Sequence, residues 1–118
     1  MRKPEYHLQV NIVQCLRYSG LFCFSVPNGG SRNKLEAINL KRSGVMAGVA
    51  DIVILLPMGR CVFVELKSDK GRQSESQKIF QAKAEELGFE YLLWKSLRDA
   101  EEFVKNYKKD YLKVGGTE

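Results

Sequence analysis

The sequence predicts an α/β fold, a mixed central sheet of about four strands flanked by helices. Three observations carry that prediction. Two strand-like runs, VADIVILL and CVFVELK, are separated only by PMGR, a short turn that signals an antiparallel hairpin. A helical segment then leads to a further strand-like run, FEYLLW, so a crossover joins the hairpin to another strand. A helical segment also stands near each end of the chain.

In order, residues 4–19 form an amphipathic helix. Pro4 suits its first turn, Leu8, Ile12, Cys15 and Leu16 recur on one face, and Gly20 stops it. LFCFSV (21–26) is aromatic and branched, hence a strand, and PNGGSRN (27–33) is a loop. A short helix over 34–42 and a Gly-containing approach over 44–48 lead to the hairpin strands, 49–56 and 61–67. SDKGRQSES is a polar loop before a helix over about 74–87, with Ile79, Ala82 and Leu87 and the neighbouring Phe80 expected to face the core. Residues 89–94 make the last strand. Ser96 followed by Asp99 caps a last helix to about Tyr107, and the tail from about 108 is expected to be flexible.

The 118 residues amount to one domain, 1–118, without repeats or low-complexity segments. Nineteen Lys and Arg against fourteen Asp and Glu leave a net charge of +5, which favours a polyanionic partner, most commonly nucleic acid, and equally serves solubility. Cys15, Cys23 and Cys61 have no zinc-site spacing and sit among apolar residues, so they read as small hydrophobes in a reducing compartment. MRKPEYHLQ lacks a secretory signal pattern, and no apolar run reaches the length of a membrane span. A cytoplasmic protein with no membrane partner is expected.

The chemistry concentrates in the hairpin. With the turn centred near Met58, Asp51 on one strand falls opposite Glu65 on the other, give or take one residue, and opposed Cβ atoms stand ~5 Å apart. Glu65 and Lys67 share a face because strand side chains alternate. Two carboxylates facing each other in an apolar sheet repel, and a divalent cation with oxygen ligands, Mg²⁺ or Mn²⁺, compensates. Such an ion suits phosphodiester hydrolysis, with the Lys67 ammonium orienting water or neutralising charge on the phosphorane. A bare D…ExK is more often a strand-edge Lys–Glu pair beside an unrelated Asp. Here the hairpin spacing and apolar flanks favour the functional reading.

The run GVADIVILLPMGRCVFVELKSDKGRQSESQ resembles the core of the VRR-NUC domain, small stand-alone phage or bacterial type, in the PD-(D/E)XK nuclease superfamily. The matching features are Gly48 and Asp51 in GxxD, the short hairpin, Glu65 and Lys67 in ExK, and the Ser/Gln segment ending at Gln77. Glu5, Leu8 and Gln9 in E-x-x-L-Q resemble the family's opening helix. One departure is Ala50, where the family usually has proline; proline there stiffens the backbone but supplies no catalytic group. The resemblance implies a restriction-endonuclease-like fold, with Glu5, Asp51, Glu65 and the Leu66 carbonyl as metal ligands, Lys67 positioning water, and Gln77 supporting it. It also implies a bacterial or phage-encoded protein. An acid in a helix's first turn, such as Glu5, is favoured by the helix dipole in any case.

Asn28, Ser31, Arg32 and Asn33 in the polar loop, Lys41 and Arg42 before the hairpin, and Lys70 and Arg72 after it are candidate phosphate contacts, though loops and helix surfaces are polar anyway. His7 stands two residues from Glu5, on another face of the helix, and is not expected to be the base. Tyr91 and Trp94 offer stacking surfaces but are better read as core. The expected activity is a Mg²⁺/Mn²⁺-dependent DNA endonuclease selective for branched, flap or four-way junction structures, since so small a domain has little surface for base readout. Cutting two strands symmetrically calls for a homodimer. The alternatives are a duplex nicking or restriction-type nuclease of the same superfamily, and a non-catalytic basic DNA-binding module.

Overall fold

The computed structural model describes residues 3–27 and 33–114. Helix α1 (Lys3–Tyr18) leads through β1 (Phe22–Ser25) and α2 (Lys34–Arg42) to the hairpin of β2 (Ile52–Leu56) and β3 (Arg60–Leu66). Helix α3 (Glu75–Glu86), β4 (Glu90–Trp94) and α4 (Leu97–Val114) follow. The sheet runs β1-β2-β3-β4, antiparallel across the first two pairs and parallel between β3 and β4. The parallel pair requires the α3 crossover, as a mixed sheet of this connectivity must. At the hairpin tip Met58 (φ 65°) and Gly59 (φ 74°) are both left-handed, which matches the right-handed twist of the strands they join.

The main core lies between one face of the sheet and the α1–α4 pair. Cys23, Ile52, Ile54, Val62, Val64 and Leu66 alternate onto that face and meet Ile12, Leu16, Ala100 and Val104. Ile12 and Leu16 are wholly buried, each contributing on the order of 2–3 kcal/mol by leaving water. Tyr91 and Trp94 are buried as expected, and Trp94 packs against Phe103. All three cysteines are free; Cys23 is buried and the other two half-buried.

Two expectations need correction. Helix α4 continues past Tyr107 to Val114, since no Gly or Pro interrupts the chain before Gly115 and Lys108 and Lys109 are good helix formers. Its start is held by Asp99, whose carboxylate accepts from the Lys95 and Ser96 N–H groups. The second correction concerns α3, where Ile79, Ala82 and Leu87 are exposed and the buried residue is Ala84. The inward stripe is instead Gln77, Phe80, Gln81 and Ala84. The sheet opposite carries the Glu65 carboxyl, to which Gln77 donates, and Phe63, against which Phe80 packs, while Gln81 accepts from Gln73 of the preceding loop, which also donates to Tyr91. Ile79 and Leu87 line an open apolar groove with Met46, Phe63 and Phe89.

Candidate functional site

The site begins where the β2–β3 ladder is interrupted. The sequence predicts strand from Val49, whereas β2 starts at Ile52 because Asp51 uses its groups differently. Its carbonyl accepts from the Val26 N–H (2.8 Å), extending the pairing with β1. Its carboxylate Oδ2 accepts from the Leu66 N–H at 2.7 Å, so a side chain replaces a backbone rung to β3. The ladder pairs Ile52 with Val64, and one step further sets Asp51 level with Glu65, as the hairpin turn predicts.

Glu65 is 1% exposed and Asp51 8%. Glu65 Oε2 accepts from Gln77 Nε2 at 2.6 Å and stands 3.5 Å from Lys67 Nζ, whose side chain is itself mostly buried. Lys67 and Glu65 share a face, and the Lys67 N–H is tied to the Trp94 carbonyl of β4 (3.0 Å). Glu65 Oε1 is buried without a hydrogen-bond partner. A buried carboxylate oxygen left bare is expensive and calls for an electropositive occupant.

Gln77 is held in place by the start of α3. Ser74 caps the helix by accepting from the Gln77 N–H, and Gln77 Oε1 accepts from the Ser74 N–H at 2.8 Å. That capping box commits the amide oxygen, which leaves the NH₂ group to face Glu65. Gly48 supports the same arrangement from below. A Cβ on Gly48 would overlap the Ser76 carbonyl and stand 2.8 Å from the Gln77 nitrogen, and its φ of +85° is left-handed. The glycine of GxxD thus lets the approach to β2 press against the first turn of α3.

Burial and the Asp51 charge push the Glu65 carboxyl up to about 7, against the pull of Lys67. Burial raises Asp51 too, opposed by the Leu66 hydrogen bond and Lys67. Glu5 adds to both shifts, so the first turn of α1 faces the pair, with Glu5 half-buried. Among the described residues no three His, Cys, Asp or Glu side chains stand close enough to hold an ion together; the converged pair is Asp51 and Glu65. Tyr91, pushed up to about 12 by burial and the Glu65 charge, stays protonated and accepts from Gln73 (3.2 Å).

Asp51, Glu65, Lys67 and Gln77 are therefore brought together, with Leu66 fastened to Asp51 through its N–H. His7 is exposed, its ring edge-on to Tyr6. Lys70 and Arg72 lie exposed on the loop between Lys67 and α3. Lys41 and Arg42 are exposed in the last turn of α2, where Lys41 lines an open pocket with Pro27, Val45 and Gly48. Asn33 is occupied as the cap of α2, accepting from the Glu36 N–H and donating to its carboxylate. Asn28, Ser31 and Arg32 lie outside the described residues. The roles of Ser74 and Gly48 escape a reading of charged motifs, although S-x-x-Q at 74–77 carries the capping-box signal.

No protein-family model and no curated protein matches the chain. Solved structures do. One, described as a VRR_NUC domain, superposes with a TM-score of 0.65 at 17% identity over 90% of this chain and 99% of the other. A second, a VRR_NUC domain protein, gives 0.68 at 20% identity over 92% and 91%. The chain has the fold of these domains over nearly its full length, with the four-stranded mixed sheet and four flanking helices expected of it.

Proposed function

We propose that this protein is a metal-dependent nuclease that hydrolyses phosphodiester bonds in DNA. The observation that carries the reading is the state of Glu65: buried, level with Asp51 across the hairpin, oriented through Oε2 by Gln77 and Lys67, and left with no donor on Oε1. The fold of VRR_NUC domains and the net charge of +5 support the same reading.

The converged pair fits a hard cation, Mg²⁺ or Mn²⁺, which Asp51 and Glu65 would hold with the Leu66 carbonyl, and Glu5, whose charge reaches the pair without closing on it, would complete the set by moving inward. When bound, such an ion supplies charge for the phosphate and a lowered pKa for water. The chain's own residues do the rest. Gln77 and the capping box hold the Glu65 carboxylate in one orientation. Lys67, nearly buried and fixed through its backbone to β4, carries a positive charge to the place where the phosphorane develops negative charge. Lys70 and Arg72 on the loop before α3, and Lys41 and Arg42 at the end of α2, are exposed cations that suit backbone phosphates.

Structure-selective cutting of branched, flap or four-way junction DNA by a homodimer is the finer proposal, because symmetric cleavage needs two such sites. Incubation with duplex, flap and four-way junction DNA in Mg²⁺, Mn²⁺ or EDTA tests it, alongside sedimentation of the protein. Cleavage of the junction ahead of the duplex by a dimer is expected. Preference for duplex points to a nicking or restriction-type enzyme, and metal-independent binding without cleavage to a DNA-binding module.

A further inference from the structure

Helix α1 carries a polar residue on the stripe that presses against the sheet. Glu5, Gln9, Ile12 and Leu16 are spaced i, i+4, i+7, i+11 and so share one face; Ile12 and Leu16 on that stripe are wholly buried. Gln9 sits between the buried pair and Glu5, the residue whose charge reaches both Asp51 and Glu65. Helical side chains lean toward the N-terminus, which carries the Gln9 amide toward the Glu5 turn.

Gln9 Oε1 is buried with no hydrogen-bond partner. Among the described side chains just one other buried atom is in that position, Glu65 Oε1. Both are acceptors, they belong to elements that touch (α1 and β3), and neither can satisfy the other. Packing alone would favour an apolar residue at position 9, because an orphaned buried acceptor costs about 1–3 kcal/mol.

We infer that Gln9 is a positioning residue of the site, its amide oxygen accepting a hydrogen bond from a water held between α1 and the Asp51–Glu65 pair. The inference rests on the metal-dependent reading, in which that water is the one to be activated, and adds a neutral acceptor that orients it without adding charge. Gln9 would thus be kept at the expense of stability.

Gln9→Met, which keeps length and removes the acceptor, tests this, with Gln9→Glu as the variant that restores an acceptor. Three measurements are made on each full-length protein: thermal unfolding without metal, Mn²⁺ affinity by titration calorimetry, and DNA cleavage. Gln9→Met is expected to unfold at an equal or higher temperature than wild type, yet to lose about tenfold in kcat and severalfold in Mn²⁺ affinity. Gln9→Glu is expected to recover Mn²⁺ affinity. If Gln9→Met is more stable and binds Mn²⁺ and cuts like wild type, Gln9 has no part in the site while the nuclease reading stands. If Gln9→Met is markedly less stable, the residue is structural and the inference is overturned. If the wild-type protein neither binds Mn²⁺ nor cuts DNA, both the inference and the nuclease reading fall.

Discussion

The Gln77 amide nitrogen lies 2.6 Å from Glu65 Oε2 while the amide oxygen of the same side chain closes the capping box with Ser74. One side chain thereby couples the start of α3 to the orientation of a buried carboxylate in β3. Gln77→Glu separates the two roles. Glutamate at this position keeps the capping box, so the melting temperature should move by only a few degrees. It also sets a second carboxylate against Glu65 in place of a donor, so cleavage should fall at least tenfold at neutral pH. Circular dichroism melts and cleavage rates on the same protein check both expectations.

Stability of the metal-free protein should fall as pH rises from about 4.5 to about 7. Glu65 ionises near its ordinary 4.5 in the unfolded chain and near 7 in the folded one, so within that window the folded state holds the extra proton. Raising the pH therefore favours unfolding, by at most ~3 kcal/mol, and the effect levels off above 7. Asp51 acts in the same direction. Glu65→Gln should flatten the profile and stabilise the protein at pH 8, as urea titrations at several pH values would reveal.

A cation at the same pair competes with that proton. Mn²⁺ affinity should weaken by up to about tenfold per pH unit below 7 and be nearly constant above it. Calorimetric titrations between pH 5.5 and 8.5 measure this. Affinity independent of pH across that range would place the ion elsewhere.

Gly48→Ala should destabilise the protein by about 2 kcal/mol or more. The new methyl meets the backbone of Ser76 and Gln77, which cannot move without lifting the first turn of α3, and the left-handed φ adds strain. Because that turn carries Gln77, activity should drop further than the loss of folded protein explains. Chemical denaturation combined with cleavage at low temperature distinguishes the two effects.

The central pair was legible in the sequence because a tight turn sets hairpin register. PMGR lies midway between Asp51 and Glu65, and alternation then assigns Lys67 to the Glu65 face. The elements were legible for the same reason, since Gly, Pro and capping residues punctuate each one. The inward face of α3 was not. Ile79, Ala82 and Leu87 suggest an apolar stripe, but the sheet opposite offers Gln77 the Glu65 carboxyl and the preceding loop offers Gln81 the Gln73 amide, and only the tertiary pairing reveals that. The interruption of β2 at Asp51 was hidden likewise, as it depends on a side chain reaching the Leu66 N–H. Gly48 reads as a flexible entry until α3 is seen pressed against it.

The most direct test of the account is cleavage of four-way junction DNA by wild type and Lys67→Met, each with Mg²⁺ and with excess EDTA. Lys67 supplies the positive charge beside Glu65, and methionine keeps its length without that charge. Wild type should cut in Mg²⁺ and stop in EDTA, while Lys67→Met should fold, still bind the junction, and cut at least a hundredfold more slowly. Cleavage that survives EDTA, or a Lys67→Met protein as active as wild type, would contradict the proposed site.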